Sequence, residues 1–342
     1  MISTIIQKIM KHETLKENEA SFFMENLASG EVSDAQASSV LSIMSFRGET
    51  VEEIVGFVKA IRKLSRITEP SLHHDLMDTC GTGGDGASTF NISTAVSIIL
   101  SSLGIKVAKH GNKAVTSKSG SSDVLEALGI HAASNHYEAN TQLSKYDIAF
   151  LHAPYFHPAL KKVASLRQQL PFRTIFNSIG PLLNPMSPAY QLIGASNEIV
   201  AGKLAEVIRV LGIKRALIVT GKEGLDECSI TGETSMFLVE NNAVSAFTYT
   251  PEEAGLRRGS LHDLKVKNKQ ESAKLIISIL NGEGNESAKN IVILNAAAAL
   301  FASNRVQSIR DGVEIVNQCL QSQTAYYHLL EITKMEANVH VN

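Results

Sequence analysis

The sequence lacks the features that mark secreted, membrane-spanning and nucleic-acid-binding proteins. Its three cysteines, Cys80, Cys228 and Cys319, lie far apart and form no CxxC spacing, so we expect reduced thiols in the cytoplasm. Lys and Arg number 32 against 34 Asp and Glu, and the net charge of −2 gives no overall basic field that would attract nucleic acid. No signal peptide is recognisable, and the most apolar later run, 291–302, is too short to span a bilayer. These absences favour a soluble cytoplasmic protein with no nucleic-acid or membrane partner.

The chain is longer than one hydrophobic core usually supports. With 342 residues, of which 44% are hydrophobic and 19% charged, the composition is that of an ordered globular protein. We therefore expect two domains of unequal size.

The first 65 residues carry the signals of a small helical bundle. Apolar residues recur at helical spacing, and Met44 and Phe46 are interpreted as core residues. Three pairs fit the capping box that begins a helix. These pairs are Thr14 with Glu17, Ser33 with Gln36, and Thr50 with Glu53. We assign residues 1–70 to this helical domain, which shows no obvious chemistry.

After a polar joint at 65–75, strands and helices alternate. The pattern predicts an α/β domain over 74–342 with a mainly parallel central sheet. The predicted strands are 76–80, 107–110, 148–152, 191–195 and 216–220, and the predicted helices are 92–103, 123–128, 158–170 and 199–211. Residues 235–240 and 244–249 are predicted to form an antiparallel hairpin. The Pro- and Gly-rich segment 172–190 interrupts this alternation, and we expect it to join the helical domain.

A glycine-rich loop follows the first predicted strand. Gly81, Gly83 and Gly86 match the pattern GxGxxG. Three alternatives are open for this loop: a dinucleotide-binding site, a phosphate-binding site, or a turn that binds no ligand. A dinucleotide fold requires an acidic residue at the end of the next strand, where this chain has Lys109 and His110. The basic residues favour a phosphate, which the N-terminus of the following helix would also attract.

A second polar loop occupies the equivalent place in the next βα unit. Residues 109–123 contain three lysines and several hydroxyl groups, and no GxxxxGK[ST] run occurs in the chain. Taken alone the loop is equally a solvated basic turn. Because ligands of open α/β sheets bind at the carboxyl ends of the strands, both loops are expected at one sheet edge.

Two further features suggest a metal and a carboxylate ligand. Asp226 and Glu227 follow a predicted strand. Adjacent carboxylates on a loop are commonly surface charge. Beside two phosphate-binding loops, however, they are suitable ligands for Mg²⁺. Arg167 either faces solvent from its helix or grips a carboxylate with its guanidinium group. His152 and His157 give no support for zinc, and Cys80 is interpreted as a buried small residue.

Four sequence blocks together resemble the anthranilate phosphoribosyltransferase family of tryptophan biosynthesis. They are GTGGDG followed by NIST, KHGNKAVTSKSGSSDVLEALG, FHPALKKVASLRQQLPFRTIFNSIGPLLNP, and GLDECSITGET. The match runs in order from the helical start to the C-terminal third. The pyrimidine nucleoside phosphorylases share the glycine loop and the fold, whereas the second and third blocks resemble the transferases.

The resemblance implies a transfer between 5-phosphoribosyl 1-pyrophosphate and anthranilate, with Mg²⁺ and release of pyrophosphate. It implies substrate binding by Gly81, Gly84, Asp85, Thr89, Asn91, Ile92, Ser93, Thr94, Lys109, His110, Gly111, Asn112, Lys113, Ala114, Val115, Thr116, Ser117, Ser121 and Arg167. Asn112 and Arg167 would meet anthranilate, while Ser93, Asp226 and Glu227 would bind magnesium. Because the amine of anthranilate is a neutral nucleophile, no catalytic base is expected. A homodimer formed through the helical domain is also implied.

Some positions depart from the family pattern, and two rival functions stay open. Lys113 stands where the family usually has Arg, Leu183 where Thr is usual, and residues 170–172 replace a more usual LGI. None of these removes a group assigned to chemistry. A nucleoside phosphorylase would not need the carboxylate grip of Arg167. A nucleic-acid-binding relative would show a basic face and a damaged acidic pair.

Overall fold

The computed structural model describes residues 1–65, 75–112 and 120–339, with side chains other than those of residue 162 and residues 334–339. The N-terminal part forms a helical bundle. Its helices are α1 (Ile2–Met10), α2 (Glu17–Ser29), α3 (Asp34–Arg47) and α4 (Val51–Lys63). The predicted capping boxes at Ser33 and Thr50 are confirmed. The box predicted at Thr14 is wrong, because Lys16 precedes α2 and its N–H donates to the Glu19 carboxylate at 2.7 Å.

Glu53 explains why the start of α4 is so well defined. Its buried carboxylate accepts hydrogen bonds from the N–H groups of Thr50 and Leu15, both at 2.8 Å, and pairs with Arg47 at 2.6 Å. One side chain therefore ties three segments of the bundle together. Met44 is buried as expected, but Phe46 is 92% exposed, so its assignment to the core is wrong. Phe46 lies at the end of α3, beyond the buried stripe of that helix.

The α/β part contains one seven-stranded sheet of order β3-β2-β1-β4-β5-β6-β7. Its strands are β1 (Met77–Gly81), β2 (Val107–Gly111), β3 (Ile148–His152), β4 (Tyr190–Gly194), β5 (Arg215–Gly221), β6 (Thr234–Glu240) and β7 (Ala243–Tyr249). Strands β1 to β5 are parallel, and β6 and β7 are antiparallel. The predicted hairpin is confirmed, with Asn241 and Asn242 at φ of 49° and 59° in its turn. The strand order reverses at β1, which creates a crevice at the carboxyl ends.

Ten helices accompany this sheet in the described residues. They are α5 (Ile92–Ser102), α6 (Ser121–Leu128), α7 (His136–Tyr146), α8 (Ala153–Phe156), α9 (Leu160–Gln169), α10 (Glu198–Leu211), α11 (Lys269–Leu280), α12 (Glu286–Ala302), α13 (Ile309–Gln321) and α14 (Thr324–Val339). The single helix predicted over 158–170 is wrong at its start, because α8 ends before His157 and α9 begins at Leu160. The Ala-rich α12 packs closely on α13: a Cβ on Gly312 would lie 2.9 Å from the Cα of Ala297.

The segment between α9 and β4 packs with the helical bundle. Ile175, Phe176, Ile179 and Leu182 share one hydrophobic cluster with α2, α4 and α10. Phe57 of α4 meets the ring of Phe176 at a centroid distance of 5.8 Å. The exact limits of the two domains stay a prediction. None of the helices in the described ranges combines the length and hydrophobicity that a membrane crossing requires.

Candidate active site

The glycine loop after β1 is shaped by an approach from the loop after β5. Gly83, Gly84 and Gly86 have φ of 66°, 75° and 71°, a conformation that favours glycine. A Cβ on Gly81 would lie 2.4 Å from Oδ2 of Asp226, and one on Gly194 would lie 1.6 Å from the Asp226 carbonyl oxygen. The Asp226 carboxylate also accepts a hydrogen bond from the N–H of Gly83 at 2.8 Å. The structure thus brings the acidic pair against the loop only because these positions have no side chain.

The two carboxyl groups of the pair are both disfavoured as anions. Burial and the charge of Asp85 raise the pKa of Asp226 to about 7. Burial and the charge of Asp226 raise the pKa of Glu227 well above its usual range, which the charge of Lys109 and the N–H of Ser93 partly oppose. Three acidic groups therefore gather where a cation would relieve their repulsion.

Lys109 projects from β2 into the protein interior rather than into solvent. Its ammonium group donates to Oγ of Ser93 at 3.0 Å and to the carbonyl of Thr79. Burial lowers the pKa of Lys109, and the charges of Asp78 and Glu227 act in the opposite direction. Lys109 therefore places its side-chain nitrogen at the start of α5, where it also acts on the charge of Glu227.

The first turn of α5 is anchored from the other side of the cleft. Ser272 of α11 donates to Oδ1 of Asn91 at 2.8 Å and accepts from the N–H of Asn91 at 3.0 Å. The side chains of Ile92 and Thr94 are buried, so only their backbone is available to a ligand. Thr89 is half-buried and forms an isolated bridge with Lys265.

The second loop is described at its two ends only. A Cβ on Gly111 would lie 2.1 Å from Oγ of Ser121, and this Oγ donates to the carbonyl of Asn112 at 3.2 Å. Ser121 therefore fixes the exit of β2 at the start of α6. The predicted site residues Lys113, Ala114, Val115, Thr116 and Ser117 lie outside the described residues, as does most of the joint at 65–75.

His110 ends β2 beside a second histidine. The rings of His110 and His157 are 5.4 Å apart in an edge-to-face arrangement. Burial and the charge of His157 lower the pKa of His110 to about 3, so its ring is neutral at physiological pH. Nε2 of His157 lies 2.6 Å from the carbonyl of Leu183. Burial also lowers the pKa of His157, so the two rings form a buried, neutral pair at the end of β2.

Arg167 lies on α9, half-buried. Burial lowers the pKa of its guanidinium group, and no hydrogen bond or ion pair joins that group to the residues the structure describes. A desolvated guanidinium group without a protein acceptor suits an anionic ligand.

Several residues at this site were missed by sequence reasoning. Arg173 donates to the carbonyls of Gly84 and Gly83 at 3.1 and 3.2 Å, and its own carbonyl accepts from Ser45 of α3 at 2.6 Å. It thereby connects the helical bundle to the glycine loop. Asp78 and Asn184 are joined at 2.8 Å inside the sheet. No spacing in the sequence signals these contacts, because they join residues far apart in the chain.

The cysteines carry no sign of nucleophilic or redox chemistry. All three are free, and burial raises the pKa of the Cys80 and Cys228 thiols well above the usual range. Cys80 is half-buried rather than fully buried. Within the described part of the chain, no group of three or more His, Cys, Asp and Glu side chains could hold a metal by itself.

Comparison with known proteins agrees with this geometry. Residues 3–65 match the model of the glycosyl transferase family helical bundle domain, and residues 73–326 match that of the glycosyl transferase family a/b domain. The chain is 47% identical over 336 residues to the anthranilate phosphoribosyltransferase of Geobacillus kaustophilus, covering 98% of each. It is 44% identical to that of Priestia megaterium, covering 99% of each.

Solved structures give the same result. The anthranilate phosphoribosyltransferase of Thermus thermophilus superposes with a TM-score of 0.90 at 35% identity, over 96% of this chain and 98% of that one. The anthranilate phosphoribosyltransferase of Saccharomyces cerevisiae, in complex with 5-phosphoribosyl 1-pyrophosphate (PRPP) and Mg, superposes with a TM-score of 0.89 at 25% identity, over 97% of each chain. The chain therefore belongs to the glycosyl transferase family that the two domain models define, and within it to the anthranilate phosphoribosyltransferases.

Proposed function

We propose that this chain transfers the phosphoribosyl group of 5-phosphoribosyl 1-pyrophosphate (PRPP) to the amine of anthranilate, releasing pyrophosphate in tryptophan biosynthesis. The observation that carries the proposal is the contact of Asp226 with the glycine loop, through the bond from Gly83 and the close approach to Gly81. This contact puts two carboxylates beside backbone groups suited to a pyrophosphate. The names of the relatives supply the substrate pair.

The donor would be held mainly by backbone and short polar side chains. We assign it to the glycine loop, the first turn of α5 and the second loop. The residues are Gly81, Gly84, Asp85, Thr89, Asn91, Ile92, Ser93, Thr94, Lys109, His110, Gly111, Lys113, Ala114, Val115, Thr116, Ser117 and Ser121. Negative charge that develops on the departing pyrophosphate is stabilised by N–H donors and by the positive end of α5.

The donor set at the acidic pair fits Mg²⁺. Asp226, Glu227 and Ser93 offer hard oxygen ligands. Burial and the neighbouring acids raise the pKa of both carboxyl groups, and a bound cation would favour their ionised forms. With only two carboxylates from the protein, the shell would be completed by water and substrate oxygens. When bound, the ion would neutralise negative charge on the pyrophosphate.

The acceptor would lie between the end of β2 and α9. Asn112 would contact anthranilate, and Arg167 would bind its carboxylate through a two-pronged guanidinium contact. The aromatic amine of anthranilate is a neutral nucleophile near pH 7 by itself, and the neutral rings of His110 and His157 add no charge that would compete for the carboxylate. Catalysis then depends on positioning and electrostatics, without a base from the protein.

The test is an assay of purified protein with PRPP, anthranilate and Mg²⁺. We expect formation of N-(5-phosphoribosyl)anthranilate and pyrophosphate, both dependent on the metal. A protein that instead releases base from a pyrimidine nucleoside in the presence of phosphate would be a phosphorylase. Salt-sensitive DNA binding without turnover would favour the nucleic-acid-binding alternative.

We also propose a homodimer formed through the helical bundle, in the cytoplasm. Phe46 of α3 is 92% exposed and Met10 of α1 63% exposed, and contact with a second copy would remove this apolar surface from water. Free thiols at Cys80, Cys228 and Cys319 are in keeping with a reducing compartment. Sedimentation should show a dimer that Phe46→Glu weakens; a wild-type monomer would contradict the assembly.

A further inference from the structure

The sheet is open between β1 and β2 on the side where the site lies. These two strands pair at one register position, Met77 with Val107, over the described length of both. In contrast, β1 with β4 and β2 with β3 each pair at five positions. The strands therefore separate toward their carboxyl ends, and backbone groups of β2 in the gap need other partners.

Two buried side chains fill the gap. Asp78 of β1 is 0% exposed, and its carboxylate accepts from the N–H of His110 at 3.3 Å and from Nδ2 of Asn184 at 2.8 Å. Asn184 is 1% exposed; its Nδ2 also donates to the carbonyl of Ala108 at 2.7 Å, and its Oδ1 accepts from the N–H of Met186 at 2.9 Å. The pair thus replaces backbone pairing with side-chain hydrogen bonds to two backbone groups of β2, the Ala108 carbonyl and the His110 N–H.

The residues before Asn184 are held in the same way. The carbonyl of Pro181 accepts from Gln191 of β4 at 3.0 Å, and that of Leu182 accepts from Arg62 of α4 at 2.8 Å. The carbonyl of Leu183 lies 2.6 Å from Nε2 of His157. Residues 180–184 therefore connect the end of β2, the ring of His157 and the helical bundle.

This arrangement has a consequence for the acceptor. His110 is two residues before Asn112 and faces His157, so its position fixes one wall of the cleft where the acceptor was proposed to bind. A catalytic cleft loses rate when a binding group shifts by as little as about 1 Å. A regular ladder between β1 and β2 would draw this wall toward β1, because paired strands lie about 4.8 Å apart.

We propose that Asp78 and Asn184 are positioning residues for the acceptor: their contact holds the end of β2 away from β1 and fixes His110 and Asn112 against residues 180–184. The proposal rests on the proposed transferase function. It assigns to these residues no contact with either substrate.

The experiment compares two single variants with the reciprocal exchange. Asp78→Asn leaves one acceptor oxygen where the carboxylate has two, so the N–H of His110 or Nδ2 of Asn184 loses its partner. Asn184→Asp removes the donor that serves both Asp78 and the Ala108 carbonyl. The double variant Asp78→Asn/Asn184→Asp restores the bond between the side chains with its direction reversed and keeps acceptors for His110 and Met186. The Ala108 carbonyl then loses its donor and faces a second acceptor oxygen, so the exchange restores the network only in part.

We expect each single variant to raise the KM for anthranilate by about tenfold, with the KM for PRPP changed by less than about twofold. The double variant should recover part of this loss, so that its KM for anthranilate rises by less than the product of the two single effects. Gln142→Leu is the matched control. Gln142 of α7 is a buried amide, and it donates to the His131 carbonyl at 3.1 Å. This variant should lower the midpoint of thermal unfolding without a selective change in the KM for anthranilate.

Three results would overturn the proposal. An equal change in both KM values, or a change in thermal stability alone, would indicate a structural role. The third is a double variant whose loss equals the product of the two single losses, since the bond between the side chains would then be irrelevant. A wild-type protein that makes no product contradicts the transferase function instead, so the two failures are distinguishable.

Discussion

The glycine loop after β1 and the segment 180–184 both adjoin β1, but they are held in place in opposite ways. The glycine loop reaches Asp226 because side chains are missing at Gly81 and Gly194. Residues 180–184 are held because side chains from β1, β4, α4 and the region of His157 each bond to them. One wall of the cleft is therefore built from bare backbone and the other from a buried polar network.

The difference matches the ligands proposed for each wall. A pyrophosphate is large, charged and rich in acceptors, so it needs exposed N–H groups, a cation and little else. A flat aromatic acid offers a single carboxylate and an amine, so it needs walls at a fixed spacing. The four predictions below test this contrast, beginning with the largest expected effect.

The largest effect is expected on the side of the glycine loop, where neutralising Asp226 and Glu227 should abolish most of the transferase activity. Asp226→Asn with Glu227→Gln keeps the shape of both side chains and removes the charge that would hold Mg²⁺. We expect turnover to fall by about a thousandfold or more, as loss of preorganised charge stabilisation does elsewhere. The measurement is product formation at saturating PRPP, anthranilate and Mg²⁺.

Thermal unfolding provides the control for that variant. Both carboxyl groups have raised pKa values in the folded protein, so removing them relieves repulsion, and the unfolding midpoint should stay the same or rise. A double variant that keeps near-normal turnover would remove the metal assignment. If the double variant were inactive because it unfolds, its turnover and its unfolding midpoint would fall together.

Adding a single methyl group at Gly81 tests whether missing side chains shape this wall. In Gly81→Ala the new Cβ would lie 2.4 Å from Oδ2 of Asp226 and must displace it. We expect a loss of about a hundredfold in turnover, because a shift near 1 Å is enough for that. Gly232→Ala is the matched control, since no atom lies within 4 Å of its added Cβ. Equal activity in the two variants would contradict the close-approach argument.

The backbone wall was largely predictable from the sequence, since its signals are local. Glycines between a strand and a helix, and hydroxyls at a helix start, each act where they stand in the chain. The parallel topology then places the carboxyl ends of β1, β2 and β5 together, so the meeting of Asp226 with the glycine loop follows from the strand order. Helix starts at Ser33 and Thr50 were predictable for the same local reason.

The other wall was not predictable, because its contacts are long-range and its residues are ordinary. Asp78 and Asn184 are 106 positions apart in sequence, and an aspartate in a strand or an asparagine before a proline signals nothing by itself. The incorrect core assignment of Phe46 has a similar cause. Apolar character at the end of a helix does not reveal which side of the helix is covered. The missed contact of Arg173 with Gly83 and Gly84 likewise joins separate domains.

Arg167→Gln should sharpen the contrast on the acceptor side. The proposed role of Arg167 is to bind the anthranilate carboxylate, so its loss should raise the KM for anthranilate by about thirtyfold, the value of a strong charged hydrogen bond. The KM for PRPP should not change. Because burial lowers the pKa of the guanidinium group and no protein acceptor offsets that cost in the described residues, stability should not fall. A variant with raised KM for PRPP alone would assign Arg167 to the donor instead.

The pH dependence of Mg²⁺ binding should give the smallest effect. Asp226 has a folded-state pKa of about 7 against an ordinary value of 3.8, so between these values the folded protein keeps a proton that the unfolded chain loses. This group therefore lowers the free energy of unfolding as pH rises through that window. At pH 6 Mg²⁺ must displace the proton of Asp226, whereas at pH 8 this group is already ionised. The apparent affinity for Mg²⁺ should therefore rise about tenfold from pH 6 to pH 8.

Thermal unfolding with and without Mg²⁺ at the two pH values measures this difference. The stabilisation by Mg²⁺ should be larger at pH 8 than at pH 6, because the ion then offsets repulsion that protonation relieves at the lower pH. In Asp226→Asn the contribution of position 226 should disappear, and only a dependence from Glu227 should remain. Equal stabilisation at both pH values in the wild type would mean that Asp226 is already ionised at pH 6. The glycine loop would then tolerate the negative charge without a metal, and the bond from Gly83 would be its main compensation.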